Sequence, residues 1–346
     1  MPVGIKPKGT KFNSNIVKHD LQDIPYEYRG NRGLIEGNNQ TADNDFILLG
    51  FQASQHSIVF LFCLFLVVYC GTICGNLLII TLVSTSKNLQ SPMYFFLTHL
   101  SVSDIWLATV IVPNMLYSLL NNGSTLTFIR CMTQFFFFCI PEIFECFLLT
   151  VMSYDRYMAI CNPLHYTSIV TSTCCVILAG TCWALGFSCA MIFSITISTL
   201  TFCGPNIIDY LFCDLVPLVE IACSDTHGIE LEVIVLCTIV LFIPITIIII
   251  SYINIIVTIL QFQSNISRQK AFSTCSAHLT VVIMFYSTLL TVYLFPKGGP
   301  SLNLSKILSL LYTVFTPLIN PMIYSLRNKE IKKSLQEMID KCKTIL

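Results

Sequence analysis

Charge is what this sequence has least of. Asp, Glu, Lys and Arg make up 11% of its 346 residues, where an ordinary soluble domain carries roughly 25%. That shortfall excludes a water-facing globular surface. Lys and Arg are missing altogether between Tyr157 and Ser267, although Asp209, Asp214, Glu220, Asp225, Glu230 and Glu232 fall inside that interval. With 19 basic residues against 19 acidic ones, the overall balance offers nothing to a nucleic acid or other polyanion. Catalytic constellations are also lacking. The 6 histidines are scattered, no Cys-x-x-Cys pair or phosphate loop occurs, and the Cys174-Cys175 doublet has no companion, so neither an enzyme nor a metal centre is expected. The first forty positions hold no apolar core of the kind a cleavable signal peptide needs; the first helix is expected to act as its own insertion signal.

Apolar residues, at 54%, are abundant and arranged in long runs. Ile58 to Val83 contains no ionisable Asp, Glu, Lys or Arg, and at about 1.5 Å per helical residue it exceeds a hydrocarbon core of roughly 30 Å. Runs bounded by polar, Pro or Gly residues predict helices at about 58–84, 92–117, 129–155, 173–196, 231–260, 271–295 and 304–326. The expected fold is an all-α membrane protein, a seven-helix transmembrane bundle over 58–326. An outward, mostly disordered tail (1–57) precedes it, and a cytoplasmic segment (327–346) follows. From Asn328 to about Lys341 that segment is amphipathic, with Ile331, Leu335, Met338 and Ile339 on one face, and is expected to lie on the lipid surface. Lys87, Arg156, Arg268, Lys270, Arg327, Lys329, Lys332 and Lys333 share one side of this topology, which the bias of basic residues makes cytoplasmic. The tail's own basic residues lie far from the first span and are offset by acids. Asn39-Gln40-Thr41 is a glycosylation acceptor on the outward side.

Polar side chains that lipid makes expensive mark the interior: Asn76, Asp104, Glu142, Glu145 and Asn320-Pro321. Pro321 removes a backbone hydrogen bond inside a span, leaving a kink that neighbouring polar groups must repair. On the third helix Cys139, Glu142 and Cys146 follow three- and four-residue spacing, and Arg156 lies about three turns beyond Glu145. One inward stripe therefore joins the outer half of the helix to its cytoplasmic end. Most of the 17 cysteines sit in apolar runs as small hydrophobes. Cys131, Cys203, Cys213 and Cys223 lie outward, in an oxidising setting, and allow three pairings.

Four strings carry a specific resemblance. They are Pro92-Met93-Tyr94-Phe95-Phe96-Leu97; Met152-Ser153-Tyr154-Asp155-Arg156-Tyr157-Met158-Ala159-Ile160-Cys161-Asn162-Pro163-Leu164-His165-Tyr166; Lys270-Ala271-Phe272-Ser273-Thr274-Cys275-Ser276-Ala277-His278-Leu279; and Pro317-Leu318-Ile319-Asn320-Pro321-Met322-Ile323-Tyr324-Ser325-Leu326-Arg327-Asn328. In this order they resemble the vertebrate odorant (olfactory) receptors, a family of rhodopsin-like G-protein-coupled receptors, over about Phe46 to Glu330. Ser153 and Met158 stand where the family commonly has Ala and Val, and the N-terminal tail is longer than usual.

The resemblance implies a receptor for small, mostly apolar odorants in the plasma membrane of olfactory sensory cilia, coupled through a stimulatory heterotrimeric G protein to cyclic AMP. It places Asp155, Arg156 and Tyr157 at the coupling end, where a resting Asp155–Arg156 pair opens and Tyr252 and Tyr324 swing in. It gathers Asn76, Asp104 and Glu145 beside Asn320 and Pro321. Two acids this close cannot both stay charged unless a cation intervenes, so either Na+ binds or one takes up a proton. Phe138, Cys139, Ile143, Tyr286, Leu289, Leu290 and Tyr293 are implied to line the ligand pocket, Tyr286 and Tyr293 being one heptad apart. Glu142 aligns with a lining position where a carboxylate is unusual. It either recognises an amine or hydrogen-bond donor, or is protonated and satisfied by a neighbour. The implied disulfides are Cys131 with Cys213 and Cys203 with Cys223. An opsin is disfavoured, because Val314 stands where the retinal lysine is expected. A receptor of the same fold for a metabolite or peptide shares every coupling motif, whereas a transporter needs a continuous polar pathway or inverted repeats.

Overall fold

The computed structural model describes residues 45–51, 53–203, 206–224, 227–294 and 302–345. Asn39 and most of the N-terminal tail lie outside the described residues. Among the described residues, seven helices are long and apolar enough to cross a membrane: Gln55–Thr85, Pro92–Leu120, Phe128–Cys161, Ser172–Ser198, Leu231–Leu260, Cys275–Tyr293 and Leu304–Ser325. They are called the first to seventh spans below. The protein is thus a multi-pass membrane protein built as a seven-helix bundle. Several helices outrun their apolar stretches. The third continues to Cys161, the sixth begins at Asn265 and the first opens at Gln55, because a helix that leaves lipid can go on through polar residues at no desolvation cost.

The third span is the axis: 72% of its most apolar window is buried, against 22% for the first span. Peripheral side chains such as Phe60, Val67, Ile249 and Ile253 are exposed, as lipid contact allows. Close approach of the fourth span to the third depends on Gly186, where an added Cβ would meet the Ile140 carbonyl oxygen at 2.9 Å.

Prolines inside spans free carbonyl groups that lipid cannot satisfy, and neighbouring helices supply the donors. Pro141 cannot bond back to the Phe137 carbonyl, which accepts instead from Trp106 Nε1 of the second span at 3.1 Å. Pro321 likewise frees the Pro317 carbonyl, which accepts from Asn76 Nδ2 of the first span at 2.9 Å. π-turns interrupt the fifth span at Thr238–Phe242 and the seventh at Leu311–Phe315. In the latter, the Thr316 hydroxyl donates to the Leu311 carbonyl at 2.8 Å.

The expectation of a mostly disordered tail up to residue 57 needs correction at its inner end. Phe46–Leu48 is a strand (β1), paired antiparallel with Ser124–Leu126 (β2) and parallel with Ile207–Ile208 (β3). Phe46 is fully buried, its ring edge-on to Phe202 at 5.1 Å. Lys306 of the seventh span reaches up to this layer, donating to the Gly50 carbonyl at 3.1 Å and pairing with Asp209. The implied cysteine pairs both form: Cys131–Cys213 ties the loop between the fourth and fifth spans to the third span, and Cys203–Cys223 closes that loop on itself. At the opposite end of the bundle, helix Lys329–Ile345 follows the seventh span, with Ile331 buried and Leu335 and Met338 packed on the core.

Candidate functional site

A cavity of about 70 Å³ lies between the third, fifth and sixth spans, toward the end that carries the sheet. The third span contributes Phe138, Cys139, Glu142 and Ile143, as expected, together with Phe135 and Cys146. The sixth contributes Leu289 and Tyr293. Sequence reasoning missed the rest of the wall: Phe193, Leu215, and Cys237, Val240 and Leu241 of the fifth span. Val240 and Leu241 belong to the π-turn that precedes Pro244, and that turn re-aims them inward.

Two expected lining residues lie elsewhere. Tyr286 is buried beside the cavity, and its hydroxyl donates to the Cys146 carbonyl at 2.8 Å, so it ties the sixth span to the third instead of facing ligand space. Leu290 is half-buried and outside the lining.

Polar groups at the cavity are few. Asp214 is buried at its edge and accepts from the Leu215 amide at 2.7 Å, Tyr293 at 3.0 Å and Tyr312 at 3.4 Å. Burial outweighs these donors and pushes the Asp214 carboxyl up to about 6. Glu142 is 7% exposed, and among the described residues neither of its carboxyl oxygens has a hydrogen-bond partner. The expected alternative in which a neighbour satisfies it has no such neighbour.

Deeper in the bundle, Asp104 accepts from Asn320 Nδ2 at 3.0 Å, and Glu145 lies within hydrogen-bonding reach of Asp104 and Ser103. Asn76 serves the backbone at Pro317 and Thr72. One Glu145 oxygen and Asn76 Oδ1 are buried without partners among the described residues.

At the far end of the third span, Arg156 donates to Asp155 Oδ2 from Nη2 at 2.6 Å and from Nε at 3.0 Å. Asp155 Oδ1 accepts from Tyr166 of the short helix Pro163–Ile169 at 2.8 Å. Tyr157 beside them is half-buried. Tyr252 is engaged with His278 Nδ1 at 2.7 Å, while the buried Tyr324 hydroxyl has no partner among the described residues. Arg156, Tyr252 and Tyr324 therefore stand as separate groups, the first locked to its neighbouring acid. An apolar cavity, a polar layer and a locked arginine follow one another along a single helix.

A family model described as olfactory receptor matches residues 62–342. Human olfactory receptor 6Y1 is 44% identical over 306 residues, covering 88% of this chain and 94% of the relative. Human olfactory receptor 10A7 is 43% identical over 301 residues, covering 87% and 95%, and chimpanzee (Pan troglodytes) olfactory receptor 1E5 is 40% identical over 307 residues, covering 89% and 98%. With this extent of match to a family of odorant-sensing G-protein-coupled receptors, which are not enzymes, the chain belongs to the olfactory receptor family.

Proposed function

We propose that this receptor binds a small, mostly apolar odorant in the cavity beside Glu142 and answers by activating a stimulatory G protein, which raises cyclic AMP. The observation that carries this reading is continuity: Glu142 of the cavity wall and the Asp155–Arg156 pair sit on one buried helix. An odorant that prefers the active arrangement shifts a pre-existing equilibrium. The sixth span moves outward, Arg156 leaves Asp155, and the guanidinium becomes available to the G protein. The N-terminus faces outward and the Arg156 end faces the cytoplasm, a direction supported by the two disulfides near the N-terminal sheet and by the basic loops at the other end. The receptor belongs to the plasma membrane of olfactory cilia.

The Asp104–Glu145 layer offers oxygen donors only, including the unpartnered Glu145 oxygen, a set that suits a hard cation such as Na+. Asp104 and Glu145 would hold it, and the ion would neutralise two neighbouring acids.

Arg156→Ala tests the coupling. Cells expressing the variant at wild-type surface levels are expected to lose odorant-evoked cyclic AMP; an unaltered response overturns the mechanism.

A further inference from the structure

We infer that the ligand of this cavity is a small monoamine whose nitrogen pairs with the carboxyl group of Glu142. The inference rests on the odorant-binding reading above and narrows it to a chemical class. A buried carboxyl left without a partner is among the costlier things a protein can carry. Both Glu142 oxygens are in that condition, on a side chain that lines the cavity. The nearby hydroxyl groups are already committed. The Tyr293 hydroxyl donates to Asp214, and that of Tyr286 donates to the Cys146 carbonyl.

Nor is there a cation to balance it. No Lys, Arg or His lines the cavity among the described residues. Lys306 is occupied by Gly50 and Asp209, and Arg156 by Asp155. The charged neighbours that do act on Glu142 are themselves acids, Glu145 and Asp214. Beyond the weak thiols of Cys139 and Cys146, the site therefore lacks a free donor and a positive charge together among the described residues, and an amine supplies both. Its apolar body would rest on Phe135, Phe138, Ile143 and Leu241, a wall with no polar group to recognise a second function on the ligand. The pair forms from carboxylate and ammonium, or from carboxylic acid and free amine with the proton passing from oxygen to nitrogen. Both routes end in the same ion pair and balance without a further reactant. A neutral odorant of the same shape would fill the space and leave Glu142 unanswered.

The test uses the full chain in cells scored by cyclic AMP, with cyclohexylmethylamine, octylamine and benzylamine each set against the alcohol of the same skeleton. Amines are expected to be the more potent partners in every pair. Glu142→Gln should cost them on the order of 10- to 100-fold, the worth of a hydrogen bond to a charged group, while the alcohols change little. Glu142→Asp, which keeps the carboxyl, should preserve the amine preference. If alcohols or other neutral odorants activate the wild type as well as amines or better, or if Glu142→Gln keeps full amine potency, the inference falls and the odorant-receptor reading stands. If a surface-delivered wild type answers no odorant of any class, the reading itself falls and takes the inference with it. The wild-type ratio of amine to alcohol decides the matter even where a variant fails to reach the surface.

Discussion

Asp214 differs from Glu142 in having all its donors in place: one amide and two phenols hold it at the cavity edge. Burial still raises its carboxyl from 3.8 to about 6, so the folded receptor binds this proton more tightly than the unfolded chain does. The stability linked to that proton is fully present below pH 3.8 and is lost as pH rises through about 6. The groups that face it are Tyr293, Tyr312, Tyr210, Cys139 and Glu142. Replacing Asp214 with Asn should remove this component. Comparing thermal unfolding of the purified wild type and variant across that interval, the stability gap should change by on the order of 2 kcal/mol, the wild type losing ground as pH rises. Parallel curves would show that Asp214 does not titrate there.

Between elements, the bundle rests on contacts at single atoms. Gly186→Ala places a methyl group 2.9 Å from the Ile140 carbonyl oxygen, so the third and fourth spans must separate; a loss of roughly 1–3 kcal/mol is expected, read as a lower Tm in detergent. Trp106→Phe keeps a ring against Trp183 but strips the donor from the carbonyl that Pro141 frees. That also costs roughly 1–3 kcal/mol, and a Tm equal to wild type would mean that another donor takes over. The spans themselves were legible in the sequence because lipid demands apolar length and penalises every charge. Asp155, Arg156, Asn320 and Pro321 were legible because polar residues inside such runs stand out. Phe46–Leu48 was not, since its hydrogen-bond partners are contributed by distant positions such as Leu126 and Ile207. Val240 and Leu241 were hidden for another reason. In an unbroken apolar run nothing distinguishes lipid-facing from cavity-facing side chains until a π-turn changes the phase. Tyr286 misled because its helical position was right while its hydroxyl had a backbone acceptor to meet.

Across the whole molecule, the proposed activation step separates the sixth span from the third, and the Tyr286–Cys146 bond is one of the links that holds them together. Tyr286→Phe should therefore favour the open arrangement without any ligand. A net hydrogen bond of about 0.5–1.5 kcal/mol corresponds to a rise of roughly 2- to 10-fold in basal cyclic AMP, measured at matched surface density. Unchanged or lower basal output would place the moving joint elsewhere. The sheet at the other end has a consequence of timing. β1 is made first, yet the parallel partner it needs at Ile207–Ile208 leaves the ribosome about 160 residues later, which at common synthesis speeds is a delay of about 10 to 30 s. β2 is made earlier, but throughout that interval the edge of the strand that faces β3 lacks its native partner and is open to chaperones or to wrong pairings, so closing this end of the receptor is a late step in its manufacture.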